Sequence, residues 1–276
     1  MGKFTVFGGR GFIGSKIVEI LLEQGHKVWI PLRGDDNILK KPLGTVIYCA
    51  GNGNCQDTPF DVFEANTCLL ANILKKSQFN QLLYISSTRV YMNNQAASEN
   101  KDLKVCVDDS RRLFNLTKLV AEELCLKSGR NICIVRPSNV YGVALNSPLF
   151  LPSITRNAIK NGKIDMYIKH NYAKDYVSVT DVANASIYLS NKKEAIGKII
   201  NIAAGYNVTA EKIANTLQKN TQCKVIWHQI ELPDENFPII DISLLKQLMP
   251  SCSPRDVIDD LEKMIHSFRI ELSTIQ

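Results

Sequence analysis

Gly8, Gly11 and Gly14 stand directly behind the apolar run Phe4-Thr5-Val6-Phe7, and a helix-period segment starts at Phe12. A strand, then Gly-x-x-Gly-x-x-Gly, then a helix is the order a dinucleotide-binding turn requires. Gly8 takes the tight turn off the strand, Gly11 lets backbone approach a pyrophosphate, and Gly14 lets the helix pack closely on the strand, with the helix N-terminus facing the phosphates. Phe12 and Ile13, inside the same run, count with the glycines as cofactor-binding residues. Glycine-rich turns occur in many βα units, so the motif draws its force from its place after the first strand. The chemistry implied is that of a nicotinamide-dependent enzyme. A second cluster, Ser86-Ser87-Thr88-Arg89-Val90-Tyr91, follows the strand-like run 82–85, at the carboxyl edge where open α/β sheets place ligands. Ser87 is the candidate for holding a substrate oxygen, with Thr88 beside it. Serines also end strands by bonding to nearby backbone, and this segment alone fits both readings.

These residues need a sheet to hold them. Strand-like segments at 4–7, 27–32, 45–50, 81–86 and 131–136 alternate with helix-like segments at about 12–24, 60–77 and 108–128. The class is α/β, a Rossmann-type doubly wound parallel sheet covered on both faces. Phe12, Ile13, Ile17, Val18, Ile20, Leu21 and Leu22 give the first helix a wide apolar face, and Gly25 stops it. Residues 34–44 are too few for a further helix-strand-helix, so the region between the second strand and Thr45 is shortened and an expected strand is missing there. After Arg136 the pattern changes. Pro137, Pro148 and Pro152 punctuate the chain, a helix near 150–161 follows, and irregular sequence runs to Asp175. Strand-helix-strand character returns from Tyr176 to Ile202, and further helices with a strand at 224–228 follow Gly205. The expected division is a dinucleotide-binding domain, 1–140 plus 176–203, and a smaller C-terminal substrate-binding lobe, 141–175 plus 204–276.

The 276 residues are 45% hydrophobic and 22% charged, enough for a full core. The formal charge of +6 is spread along the chain in pairs such as Lys75-Lys76 and Arg111-Arg112 that never become a tract, so nucleic acid is not implied. Eight cysteines without a Cys-x-x-Cys pair read as reduced thiols of a cytoplasmic protein, and four histidines without ligand spacing imply no metal. No apolar run is long enough to cross a bilayer, and no secretory leader is expected.

In the third long helix the sequence reads Phe114-Asn115-Leu116-Thr117-Lys118. Together with the glycine turn and the serine cluster, this segment resembles the extended short-chain dehydrogenase/reductase family of nucleotide-sugar epimerases, dehydratases and reductases. The resemblance covers most of the chain. It extends to Val46-Ile47-Tyr48-Cys49-Ala50-Gly51, Asn66-Thr67, Arg136-Pro137-Ser138-Asn139-Val140-Tyr141-Gly142, Lys174-Asp175-Tyr176-Val177 and Val179-Thr180-Asp181-Val182-Ala183. It implies that Ala50, Gly51, Pro137 and Asn139 border the cofactor, and that Asn139, Lys174 and Tyr176 contact a nucleotide diphosphate. It implies a homodimer built through helices near 66–76 and 108–126, for which Leu69, Leu70, Ile73 and Leu113 offer apolar side chains that could equally be core.

The family's chemistry uses Tyr-x-x-x-Lys, whose i and i+4 side chains share a helix face, so that the ammonium lowers the phenol's pKa and also holds the cofactor ribose. Here the tyrosine position is Phe114, which has no proton to give, while Lys118 and Ser87 remain. A natural loss of activity, a natural enzyme drawing its proton from elsewhere, and a deliberate Tyr→Phe replacement made to trap a substrate all fit the sequence. The literal Tyr188-x-x-x-Lys192 lies on another helix, away from the cofactor edge. At the end of the second strand, where NAD-preferring members carry an acid, stands Leu32-Arg33, which favours NADP(H) over NAD(H) unless Asp35 or Asp36 pairs with Arg33. Thr88-Arg89 replaces the Asp-Glu pair a 4,6-dehydratase would want. The leading expectation is therefore NADPH-dependent reduction of a nucleotide-diphosphate 4-keto-6-deoxy sugar for polysaccharide biosynthesis, with Ser87, Phe114 and Lys118 as the catalytic positions. An NAD-dependent 4-epimerase and a catalytically inactive cofactor-binding regulatory protein are the alternatives.

Overall fold

The computed structural model describes residues 1–229 and 235–273; positions 230–234 and 274–276, part of the expected lobe, lie outside the described residues. The first half alternates strand and helix: β1 (Lys3–Phe7), α1 (Phe12–Glu23), β2 (Lys27–Trp29), β3 (Thr45–Tyr48), α2 (Pro59–Phe63), α3 (Leu69–Lys76), β4 (Gln81–Ile85), α4 (Arg112–Lys127) and β5 (Ile132–Pro137). The second half holds β6 (Asn139–Tyr141), α5 (Phe150–Asn161), β7 (Lys163–Met166), β8 (Ala173–Lys174), β9 (Tyr176–Ser178) and α6 (Val179–Leu189). It ends with β10 (Ile199–Ile202), β11 (Val208–Thr209), α7 (Ala210–Thr221), β12 (Lys224–Trp227), α8 (Ser243–Leu248) and α9 (Val257–Ser273).

Six strands pair in parallel in the order β10-β5-β4-β3-β1-β2. Every residue of β4 and β5 is buried, as strands covered on both faces must be. One apolar layer joins α1 and α6 to the sheet through Ile17, Leu21, Leu83, Val135, Val182 and Ile187. The other joins α3 and α4 through Leu70, Ile73, Tyr48, Tyr84, Ala121 and Cys125. A third cluster unites α5, α7 and α9 through Leu151, Ile154, Ile213, Leu217, Leu261 and Phe268, flanked by the two-stranded pair β7 and β12. The chain steps from β1 outward to β2 and back across to β3, so the strand order reverses between β1 and β3 and leaves a crevice at their carboxyl ends.

Several expected elements differ in extent. β2 stops at Trp29, two residues before Pro31, which has no N–H to offer a ladder. It is the edge of the sheet, and residues 36–39 form only a 3₁₀ turn capped by Asp35, whose carboxylate accepts from the Asn37 backbone N–H at 2.9 Å. The helix expected over 60–77 is three segments, because residues 64–68 wind as a π turn between α2 and α3. α4 begins at Arg112 rather than 108, since the Asp109 carboxylate ties the preceding turn by accepting from the Arg111 N–H at 2.8 Å. The stretch read as irregular before Asp175 contains β7 and β8, each too short to show alternation.

Candidate active site

The glycine turn is shaped as each position requires. Gly8 has φ +74°, and a Cβ on it would lie 2.7 Å from the Ala50 nitrogen at the end of β3. A Cβ on Gly14 would lie 2.2 Å from the Gly8 carbonyl oxygen, so α1 reaches this depth only without a side chain there. The Gly11 N–H donates to the Gly8 carbonyl at 2.9 Å, closing the turn. Among the described residues no side chain caps α1, and its first-turn N–H groups are the natural partner for a phosphate. A dinucleotide fits this cradle, with Phe12 and Ile13 half-buried in the first turn.

At the ends of β3 and β4 the structure brings the reactive positions together. Lys118 is buried, and its Nζ donates to the Ile85 carbonyl at 2.9 Å, two residues before Ser87. The same Nζ lies 3.4 Å from where a Cβ on Gly51 would stand. Burial pushes Lys118 down to about 8, against attraction from Glu122 and Cys49. One helical turn earlier, the Phe114 ring centre is 5.7 Å from Nζ, and the Arg111 guanidinium carbon sits 4.7 Å from that centre. Ser87 is half-buried and caps the following 3₁₀ turn, its Oγ accepting from the Arg89 N–H at 3.1 Å. Thr88 is buried beside it, and Ala50 borders the turn of Gly8.

Groups quoted in the sequence only as motif members, together with Asn52, Glu122 and Asn201, which no motif marked, hold this arrangement. Asn66, inside the π turn, donates to the Asn52 carbonyl at 3.1 Å and to Thr117 Oγ1 at 3.0 Å, and accepts from the Asn52 N–H at 3.1 Å. It ties the loop after β3 to the helix that carries Lys118, a placement consistent with the wide turn's habit of marking functional positions. Beneath Ser87, Ser86 donates to Glu122, which receives Arg136 through Nε at 2.9 Å and Nη2 at 2.5 Å. Arg136 also donates to the Tyr91 hydroxyl at 2.7 Å, and Tyr91 to Asn201 at 2.9 Å. Asp175 anchors the segment before β9 by accepting from the N–H groups of Ala204, Gly205 and Tyr206 at 3.0, 2.7 and 3.2 Å. The quoted Arg136-Pro137 and Asp175-Tyr176 motifs carried these positions as signatures; their partners are distant in sequence.

Other expected site residues are placed differently. Arg33 is exposed four residues beyond β2 and makes no ion pair among the described residues, while Asp35 is occupied by its own turn. The Asn139 side chain donates to the Asp175 carbonyl at 2.8 Å, and Pro137 is buried in β5. Tyr176 is buried in the lobe's apolar cluster. Lys174 is held at 3.8 Å from Glu235 and lies over the rings of Tyr172 and Phe237. Of the apolar side chains that could serve either a second subunit or the core, Leu70 and Ile73 are fully buried and belong to the core against the sheet. A hollow of about 460 Å³ lies elsewhere, between α1, α6 and α9, lined by Phe12, Lys16, Thr180, Arg255 and Lys263.

A parallel sheet whose order reverses at a glycine turn, with a lysine and a serine at the same carboxyl edge, defines a dinucleotide-binding protein of the extended short-chain dehydrogenase/reductase type. The chain belongs to the NAD dependent epimerase/dehydratase family, whose model matches residues 4–203. It is 25% identical over 177 residues to a 3 beta-hydroxysteroid dehydrogenase/Delta 5-->4-isomerase of Mycobacterium tuberculosis, covering 51% of this chain and 48% of that protein. It is also 25% identical over 175 residues to a dTDP-4-dehydro-6-deoxy-D-allose reductase of Streptomyces sp, covering 57% and 54%. The chain thus spans about half the length of these curated relatives. The solved structure of MoeE5 in complex with UDP-glucose and NAD superimposes with a TM-score of 0.84 at 17% identity, covering 98% of this chain and 100% of that one, and shows the shared fold.

Proposed function

We propose that the chain binds NADP(H) and is built to reduce the C4 keto group of a nucleotide-diphosphate 4-keto-6-deoxy sugar. The observation that carries this reading is the convergence of Lys118 and Ser87 at the carboxyl edge of β3 and β4, beside a glycine turn whose Gly14 admits no side chain. The Streptomyces relative named for a 4-dehydro-6-deoxy sugar supports the substrate class. A bound reduced nicotinamide would supply the hydride. Gly8, Gly11, Phe12, Ile13 and Gly14 hold the pyrophosphate, Ala50, Gly51, Pro137 and Asn139 border the cofactor, and Lys118 holds the ribose nearest the reaction. Ser87, with Thr88 behind it, donates a hydrogen bond to the keto oxygen as negative charge grows there. Phe114 withholds the proton that would complete the alcohol, so the chain as it stands turns over slowly, by a factor of about 10²–10⁴. Asn139, Lys174 and Tyr176 frame the nucleotide diphosphate.

Arg33 is the basis of the NADP(H) preference. Exchanging it for glutamate should weaken NADPH binding about tenfold or more while sparing NADH, since a charge-assisted bond to the 2′-phosphate is replaced by repulsion. A 4-epimerase is the second reading, favoured by a fold neighbour that carries NAD with UDP-glucose. Protein incubated with a nucleoside diphosphate 4-keto-6-deoxy sugar decides between them. Alcohol formed only with added NADPH supports the reductase, whereas interconversion of 4-hydroxy sugars by tightly held NAD supports the epimerase. Subunits pair, in this reading, through Leu116, Val120 and Leu124 of α4 and Phe60 and Phe63 of α2, apolar side chains left exposed and spaced by four along α4. The setting proposed is the cytoplasm, in polysaccharide precursor synthesis.

A further inference from the structure

Two residues beyond Ser87, the Arg89 side chain is only 10% exposed and divides one nitrogen between two acids: Nη2 donates to Asp109 at 2.7 Å and to Glu235 at 2.9 Å. Its Nε is buried and has no hydrogen-bond partner among the described residues. Nε and Nη2 form the side edge of a guanidinium, the fork that grips two oxygens of a phosphate or carboxylate. Here Glu235 fills only half of it. The other Glu235 oxygen accepts from the Tyr172 hydroxyl at 2.6 Å and lies 3.8 Å from Lys174 Nζ.

Among the described residues the cluster is short of negative charge. Arg89, Arg111 and Lys174 face Asp109 and Glu235, leaving one cation in excess. Burial, together with repulsion from Arg89 and Arg111, pushes Lys174 down to about 8 despite Glu235. With Glu235 withdrawn the excess would be two positive charges, matching the one charge on each phosphate of a nucleoside diphosphate sugar.

We infer that Arg89, Tyr172 and Lys174 form the seat of the substrate's diphosphate, and that Glu235 occupies this seat as an internal stand-in which the substrate displaces. The inference rests on the nucleotide-sugar reading above and extends it, assigning Arg89 and Tyr172 to the ligand and making Glu235 its competitor. Asp109 stays on Arg89 throughout and keeps the fork aimed. No bond is made or broken; one set of charge-assisted hydrogen bonds replaces another.

The test is calorimetric titration of the full chain with UDP-glucose and, separately, inorganic pyrophosphate. Glu235→Gln, which removes the competing charge, should bind both roughly tenfold tighter than the parent. Arg89→Gln should bind both at least tenfold more weakly, and Tyr172→Phe, which keeps the ring, about threefold more weakly. Circular dichroism confirms that each variant is folded, and a misfolded Arg89→Gln leaves Tyr172→Phe to decide. Weaker or unchanged binding by Glu235→Gln, with UDP-glucose still bound by the parent, overturns the stand-in and leaves the nucleotide-sugar reading intact. Failure of UDP-glucose and pyrophosphate to bind any of the proteins overturns both.

Discussion

Replacing Phe114 by tyrosine tests the assignment of the whole site with a single oxygen. The ring is half-buried, with Lys118 Nζ 5.7 Å from its centre on one side and Arg111 Cζ 4.7 Å from it on the other. At about 5 Å and an effective dielectric of about 20, a unit positive charge favours a phenolate by about 3 kcal/mol. Lys118 is buried and exerts most of this; Arg111 is exposed, and solvent screens its share. The added phenol would therefore have its pKa drawn down toward neutrality, where a general acid works best. Turnover of the 4-keto sugar should rise about 10²–10⁴-fold, while cofactor affinity stays within about twofold because ring packing is preserved. Following NADPH consumption across pH gives a second readout. Lys118 sits at about 8, so its charge is present below that pH and lost above it, and the variant's rate should fall as pH rises through 8. An unchanged rate in a folded variant that still binds cofactor would refute the assignment of 114 as the proton-donor position.

Three further outcomes follow from the same geometry. Lys118 titrates at about 8 when folded against an ordinary 10.5, so its burial costs stability below pH 8 and that cost fades as pH climbs toward 10.5. Lys118→Met should thus raise unfolding stability at pH 7 by up to about 3 kcal/mol, less the lost bond to Ile85, while weakening cofactor binding. Equal stabilisation at pH 7 and pH 10.5 in denaturant melts would contradict this. Gly14→Ala, whose Cβ would meet the Gly8 oxygen at 2.2 Å, should cost about 3 kcal/mol or more in urea unfolding, and a loss below about 1 kcal/mol would show that the helix can retreat. Glu122→Ala leaves Arg136 buried without its carboxylate and should cost about 3–5 kcal/mol, whereas pairing Glu122→Leu with Arg136→Met should recover most of it; equal losses would place the energy in packing instead.

The sheet and the glycine turn were readable because each rests on local rules, whereas Ser87 and Lys118 stood out only through the family resemblance. Period-2 and period-3.6 patterns mark strands and helices, and a φ of +74° next to a strand end selects glycine at position 8. The short interval 34–44 left no room for a further strand, and in the structure β2 is the edge of the sheet. Element ends were less legible. Pro31 ended β2 early and Asp109 delayed α4, both through hydrogen bonds that the hydrophobic pattern does not register. The π turn at 64–68 keeps the apolar spacing of an ordinary helix closely enough to hide within it, yet it is what aims Asn66 at Asn52 and Thr117.

Chain order alone settled that a glycine-rich turn follows the first strand, that residue 114 has no hydroxyl, and that Lys118 follows it by one helical turn. Tertiary structure alone decided which charges meet. Arg89 and Glu235 are 146 residues apart and Glu122 and Arg136 lie on different elements, yet each pair shares hydrogen bonds, the first partly and the second fully buried. The reason is that electrostatic interactions act through space and through burial, and neither quantity exists until the sheet has brought distant segments together.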